Sequence, residues 1–205
     1  MTYTVKEIFR TIQGEGAHLG RVAVFVRFSG CNLWTGREED RASARCRFCD
    51  TDFVGGTRYD SATALVDAVE AEAEAGLARW VVLTGGEPAL QIDKMLLVEL
   101  RIRGFHIAVE TNGTLPLLYG FDWICVSPKV PAASLQQRWG DELKLVFPQA
   151  HLDPAQFTGL RFVRLSLSPM AGPNLAENTK AAIEYCLANP SWNLTMQAHK
   201  TWGIR

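Results

Sequence analysis

Three of the five cysteines in this 205-residue chain, Cys31, Cys46 and Cys49, form one C-x14-C-x2-C stretch. Thiols at such intervals hold a metal or act as a redox dithiol. A structural zinc site takes four Cys or His ligands. The histidines His18, His106, His151 and His199 are scattered, and none stands at a finger-like interval from the close pair. A dithiol would employ Cys46 and Cys49 and leave Cys31 idle. Three thiolates without a fourth fit a 4Fe-4S cluster with one iron open to a small ligand, because such clusters ordinarily take four cysteines. On spacing alone, zinc and cluster stand level.

The neighbouring residues favour the cluster. Cys31 follows the run "VAVFVRFSG", and Phe48 directly precedes Cys49. About 35 residues beyond Cys49 stands "TGGEP", where glycine amides and a carboxylate could hold the charged ammonium of an amino acid. The remaining cysteines, Cys125 and Cys186, fall inside a strand and a helix pattern and read as packed, inert thiols.

These residues need a scaffold. "VAVFVRF" (22–28) is β-branched and aromatic, which predicts a strand. A capping Ser61 opens an Ala- and Glu-rich helix over 61–77, and a strand over 79–85 runs into the glycine turn. Further helices are expected over 89–104 and 178–190. Further strands are expected over 105–113, 122–129, 141–147, 160–170 and 192–199. Short apolar strands with helices between them predict an α/β fold with a mostly parallel sheet. The helices are too sparse for eight complete units, so the expectation is a partial, open TIM-like barrel, reduced in helices. It forms a single domain, 1–205, with a cluster-binding loop at 31–49. Strands ending in "LTGGEP", "VETNG", "VSPK" and "LSPM" would share the C-terminal edge where such folds bind ligands.

A net charge of −1 and a pI near 6.4 argue against a nucleic-acid partner. The N-terminal "MTYTVKEIFR" lacks the apolar core of a signal peptide, and no apolar run nears the roughly 18 residues of a membrane span. The expected address is cytoplasmic, where thiols stay reduced.

The three cysteines together with the GGE turn resemble the radical S-adenosylmethionine (SAM) superfamily. Its usual spacing is C-x3-C-x2-C, and the first interval here is 11 residues longer. The insert is polar and charged, and the extra length costs on the order of 1 kcal/mol of closure entropy. More specifically, "FRTIQGEGAHLGRVAVFVRFSGCNL", "CDTDF", "TGGEPALQ", "VETNGT", "VSPK" and the terminal "QAHK" resemble the 7-carboxy-7-deazaguanine synthase family over most of the chain.

That resemblance implies a lyase of queuosine and 7-deazapurine biosynthesis. It contracts the ring of 6-carboxy-5,6,7,8-tetrahydropterin to 7-carboxy-7-deazaguanine with loss of ammonia. It further implies a 4Fe-4S cluster, SAM and Mg2+ as cofactors, an electron donor such as flavodoxin or ferredoxin, and a homodimer.

Carried over at matching positions, Cys31, Cys46 and Cys49 ligate the cluster, and the Thr51 hydroxyl ligates Mg2+. Phe48 and Asp50 flank the SAM adenine, and Gly85, Gly86 and Glu87 serve its methionine end. Ser127, Pro128 and Lys129, with Ser168, Pro169, Met170 and Ala171, complete the SAM pocket. Gln13, Gly14 and Glu15 meet the pterin edge, Arg27 clamps its carboxylate, and Thr84 and the terminal Arg205 are further substrate contacts. Asp50 and Asp52 would draw a cation to Thr51, or serve as loop caps. Where the family has a Gln-Pro-Met turn or similar, this chain has "SPM". A glycyl-radical activase would lack the "QGEG" and "HK" ends. A zinc-stabilised module without catalysis would differ in metal content.

Overall fold

The structure, a computed structural model, describes residues 2–74 and 76–205. Its elements in chain order are β1 (Tyr3–Ile12), β2 (Val22–Phe28), β3 (Thr57–Tyr59), α1 (Ala62–Glu72), β4 (Trp80–Gly85), α2 (Lys94–Ile102), β5 (His106–Thr111), β6 (Trp123–Val126), β7 (Trp139–Phe147), β8 (Arg161–Pro169), α3 (Leu175–Ala188), β9 (Trp192–Leu194) and α4 (Ala198–Trp202). They fall into two compact units. The first holds the chain up to Thr11, Val22–Thr111 and Pro116–Ile124; the second holds Ile12–Arg21, Asn112–Leu115 and Cys125–Arg205.

In the first unit the strand order is β3-β1-β2-β4-β5-β6, with β3 antiparallel to β1 and with β2, β4 and β5 mutually parallel. Successive residues of β2 and β4 point to opposite faces. On one face Val24, Val26, Phe28, Val81, Leu83, Ile107 and Val109 are fully buried. The unit's helices bring Leu65, Val66, Val69, Leu96 and Leu100, all buried as well. Each such side chain contributes roughly 1.5–3 kcal/mol. The other face carries a smaller cluster of Ala23, Val82 and Ala108 with Phe25, Trp80 and Trp123. Arg27 and Thr84 stand on this second face as register partners.

The second unit has the order β6-β7-β8-β9, all parallel. Leu143, Leu145 and Leu167 are buried without exposure, as is Ala182 of α3. β3 is an edge strand in the first unit, and β9 is one in the second. The expected α/β class, mostly parallel and poor in helices, is what the chain adopts. Among the described residues, no helix is long and apolar enough to cross a membrane.

Several boundaries differ from expectation for local reasons. The helix over 61–77 starts as expected, with Ser61 Oγ accepting from Ala64 N–H, and ends at Glu72. The chain then turns through left-handed backbone at Glu74 (φ 43°) and Gly76 (φ 90°); Ala75 lies outside the described residues. The helix expected from residue 89 begins only at Lys94. Pro88–Leu90 makes its own 3-10 turn, capped by Glu87, and Asp93 caps α2 by accepting from Leu96 N–H. The last strand stops at Leu194 and gives way to α4. Two strands have no clear pattern in the sequence: β1, in which Tyr3, Val5 and Phe9 are buried, and the short edge strand β3.

Candidate active site

The end of β2, the glycine turn and the segment after the cysteines are laced together by backbone bonds. Gly86 N–H donates to Phe28 O (3.1 Å), Glu87 N–H to Gly30 O (2.9 Å) and Gly30 N–H to Phe53 O (3.2 Å). Both turn glycines are required by contact. A Cβ on Gly86 would stand 2.0 Å from the Gly30 carbonyl oxygen. One on Gly85, which has φ 124°, would stand 2.3 Å from that of Phe28. Gly86→Ala therefore forces backbone apart beside Cys31. We expect about 3 kcal/mol of lost stability and a SAM affinity at least tenfold weaker, read by thermal melting and by SAM titration of the reconstituted protein.

Glu87 is fully buried, and its carboxylate accepts from the Thr111 hydroxyl (2.7 Å) and Ala89 N–H (3.0 Å). The side chain thus stabilises the turn itself. The Thr111 partner was not foreseen from the sequence.

Cys31 and Cys49 pack on a small core of Trp34, Ala44 and Phe53. Leu33 N–H donates to Cys31 Sγ at 3.4 Å, and Cys49 N–H to Cys46 O at 3.4 Å. Burial, foremost, pushes the Cys31 thiol up. The Cys49 thiol is drawn down to about 6, mainly by its hydrogen bond with Cys46, with further bonds from the Thr51 N–H and side chain opposing burial. Cys46 and Cys49 are therefore direct neighbours, and a thiolate forms readily at Cys49, as a metal or cluster ligand needs. Among the described residues no three His, Cys, Asp or Glu side chains close around one metal ion, as a tetrahedral zinc site would require. A cluster spreads its thiolates over separate irons and does not impose that geometry.

Thr51 lies against the Cys49 thiol. Asp52 is committed elsewhere: it pairs with Lys6 (2.7 Å) and accepts from Val54 N–H (3.1 Å), so it is a loop-capping residue. Asp50 is exposed and Phe48 half-buried. On the second face of the unit, Arg27 Nε donates to Glu7 at 2.8 Å, and its guanidinium lies 5.9 Å from the Phe9 ring centroid. Arg27 thus points where Thr84 points, held by a carboxylate that the sequence did not single out. Strand alternation adds Glu110 of β5 to the same face, opposite the fully buried Val109.

In the second unit the anticipated strand ends are in place. Lys129 Nζ donates to the Ser127 carbonyl (2.8 Å) and hydroxyl (2.6 Å), and Pro128 O accepts from Gln149. Ser168 and Pro169 close β8 beside Val146 and Phe147. Met170 N–H donates to Phe147 O at 2.7 Å, Asn178 donates to Met170 O at 2.9 Å, and Ala171 follows half-buried.

The Gln13-Gly14-Glu15 segment is pinned from two sides. Glu15 pairs with Lys144 of β7 at 2.7 Å and accepts from Gln197 at 2.8 Å. Burial disfavours its charge, yet the Lys144 ammonium and the bonds from Lys144 and Gln197 outweigh burial and hold the carboxyl below its usual range. Gly16 N–H donates to the Thr195 hydroxyl (2.8 Å), and Ala17 N–H to Glu142 (2.9 Å). Gly14 has no room for a side chain, because its Cβ would stand 2.5 Å from His199 Nδ1. Gln13 is buried, with its side-chain oxygen accepting from Glu15 N–H. Lys144, Glu142, Thr195 and Gln197 went unnoticed in the sequence. The available signal was "DELKLVF", where Glu142 and Lys144 share one face of a strand. The terminal Arg205 is exposed.

Comparison with known proteins agrees with this arrangement. Residues 41–139 match the family model described as Radical SAM superfamily. The 7-carboxy-7-deazaguanine synthase of Bradyrhizobium diazoefficiens is 58% identical over 211 residues, covering all of both chains. That of Bordetella pertussis is 55% identical, again over the full length of both. The chain belongs to the 7-carboxy-7-deazaguanine synthase family. The crystal structure of QueE from Escherichia coli is similar at a TM-score of 0.72 and 29% identity, over 97% of this chain and 95% of that one. Members of the synthase family are radical SAM lyases, and their cofactors are a 4Fe-4S cluster, SAM and Mg2+. The adjacent Cys46 and Cys49 thiols, the lowered Cys49 thiol and the side-chain-free turn beside Cys31 fit the first two of these groups.

Proposed function

We propose that this chain, working as one domain over 1–205, converts 6-carboxy-5,6,7,8-tetrahydropterin to 7-carboxy-7-deazaguanine with loss of ammonia. The observation that carries the reading is the full-length identity of 58% to a protein of that name, in a chain whose three cysteines and double-glycine turn fit the family's cofactors. When bound, the cluster and SAM supply the reducing electron and the radical that removes hydrogen from the pterin.

The protein's own part is to bind, orient and exclude water. Cys31, Cys46 and Cys49 hold the cluster. Phe48, Asp50, the Gly85–Glu87 backbone, Ser127–Lys129 and Ser168–Ala171 hold SAM, and the Thr51 hydroxyl binds Mg2+, which needs few protein ligands. Glu15, ionised and held by Lys144, offers carboxylate oxygens to the pterin's amino edge, with Gln13 and Gly14 beside it. Arg27 offers a guanidinium to the substrate carboxylate, a natural bidentate pair, and Thr84 lies beside it. Arg205 is a further substrate contact, carried by an exposed tail. A small redox protein of the flavodoxin or ferredoxin kind supplies the electron, and the protein acts as a cytoplasmic homodimer.

The test is anaerobic turnover with dithionite, SAM, Mg2+ and the carboxypterin, with products followed by liquid chromatography–mass spectrometry. The expected product is 7-carboxy-7-deazaguanine, formed only when SAM is present. Formation of 5′-deoxyadenosine without any deazaguanine would mean that the substrate is wrong. Light scattering on the same preparation distinguishes dimer from monomer.

A further inference from the structure

The insert between Cys31 and Cys46 is organised around one side chain. Arg41 directs Nη1 onto the backbone carbonyls of Arg47 (2.8 Å) and Cys49 (3.0 Å). Its Nε donates to one Glu38 carboxylate oxygen at 2.6 Å, and Nη2 donates to the other. The guanidinium carbon lies 4.1 Å from the Trp34 ring centroid, well within cation–π range. Trp34 is itself fixed: it is buried, its Nε1 donates to Arg37 O (3.1 Å), and its ring meets Phe53 edge-on at 5.6 Å.

Arg41 thereby joins the two arms of the cysteine loop. One arm carries Trp34, three residues past Cys31; the other carries Cys46 and Cys49. Only a planar, forked cation can meet two carbonyls, a carboxylate and a ring face at once. The rest of the insert supports that position. Glu38–Ser43 is a 3-10 stretch, and the Thr35 hydroxyl donates to Asp40 at 2.6 Å.

We propose that Arg41 is a positioning residue for the cluster. It closes the long cysteine loop ahead of cluster binding, and it sets a fixed positive charge against the carbonyl of a cluster ligand. Loop closure matters because an open insert must be ordered when the cluster binds. The charge matters because reduction adds negative charge to the cluster, and surrounding charge and hydrogen bonds set its potential. Glu38, as the counter-charge, offsets part of the effect.

The inference rests on the cluster reading, and the two can fail separately. Wild-type, Arg41→Met and Glu38→Gln proteins are reconstituted, and each is measured for bound iron and for midpoint potential by EPR-monitored titration. Arg41→Met is expected to bind less iron and to shift the midpoint to more negative values. Glu38→Gln, which leaves the carbonyl contacts in place, is expected to shift it to more positive values. Far-ultraviolet circular dichroism checks that both variants fold, and the Glu38→Gln shift keeps the test decisive should Arg41→Met fail to fold. A wild type that binds no iron would overturn the function reading itself. A wild-type cluster with midpoints unchanged in both variants, or shifted in the same direction, would overturn the role of Arg41 alone.

Discussion

Cys46→Ala is expected to abolish turnover and release the iron while leaving the α/β scaffold folded. Cys46 sits at the junction of the insert and the close pair, and its hydrogen bond is the largest influence drawing the Cys49 thiol down to about 6. On the proposed cluster reading its loss takes away one of three ligands, and without its hydrogen bond the Cys49 thiol is expected to rise toward its ordinary range, weakening a second. With two cysteines left, a cluster that ordinarily takes four protein ligands has half of them. Stability should change little, because the residue belongs to a loop and the buried strands of the first unit do not depend on it. Activity below detection, iron near zero and an almost unchanged melting curve are the expected trio. A variant retaining about four irons per chain would show that Cys46 is not a ligand.

Lys144→Met is expected to destabilise the second unit. The Lys144 ammonium is nearly buried, 2.7 Å from Glu15. Removing it strands a buried carboxylate that keeps its bond from Gln197, a change that costs about 3–5 kcal/mol. The sign of its pH dependence is specific. In the wild type the carboxyl is depressed, so it contributes stability above the unfolded carboxylate range and loses it in acid. In the variant, burial without the ammonium is expected to raise the carboxyl, so that stability falls as pH rises. The gap in melting temperature between the two proteins should therefore be small near pH 5 and wide at pH 7.5. At neutral pH the apparent KM for the pterin should rise at least tenfold, because the Gln13-Gly14-Glu15 segment loses its anchor. A gap that does not change with pH would place the loss in packing and not in charge.

Local signals made much of this legible. Cysteine spacing, the double glycine, and strands ending in "TNG", "SPK" and "SPM" are each set by a few adjacent residues, and those strands end where their sequences suggest. Arg27 and Thr84 even prove to be register partners on one face. Long-range partnerships were not legible. Glu15 and Lys144 are separated by most of the chain, and nothing near either residue announces the other. The same holds for Glu7 with Arg27 and for Thr111 with Glu87. Strand β1 went unseen because Lys6, Glu7 and Arg10 obscure the alternation of Tyr3, Val5 and Phe9. The insert looked like a bare polar loop, and its order depends on a guanidinium meeting carbonyls that carry no side-chain signature.

The central claim is that the three-cysteine loop carries a cluster with one iron open to SAM. Its most direct test is EPR of the anaerobically reconstituted, dithionite-reduced protein, recorded with and without SAM. A 4Fe-4S signal whose shape changes when SAM is added is the predicted result. A protein that binds zinc in place of iron, or a cluster signal that SAM leaves untouched, would contradict it.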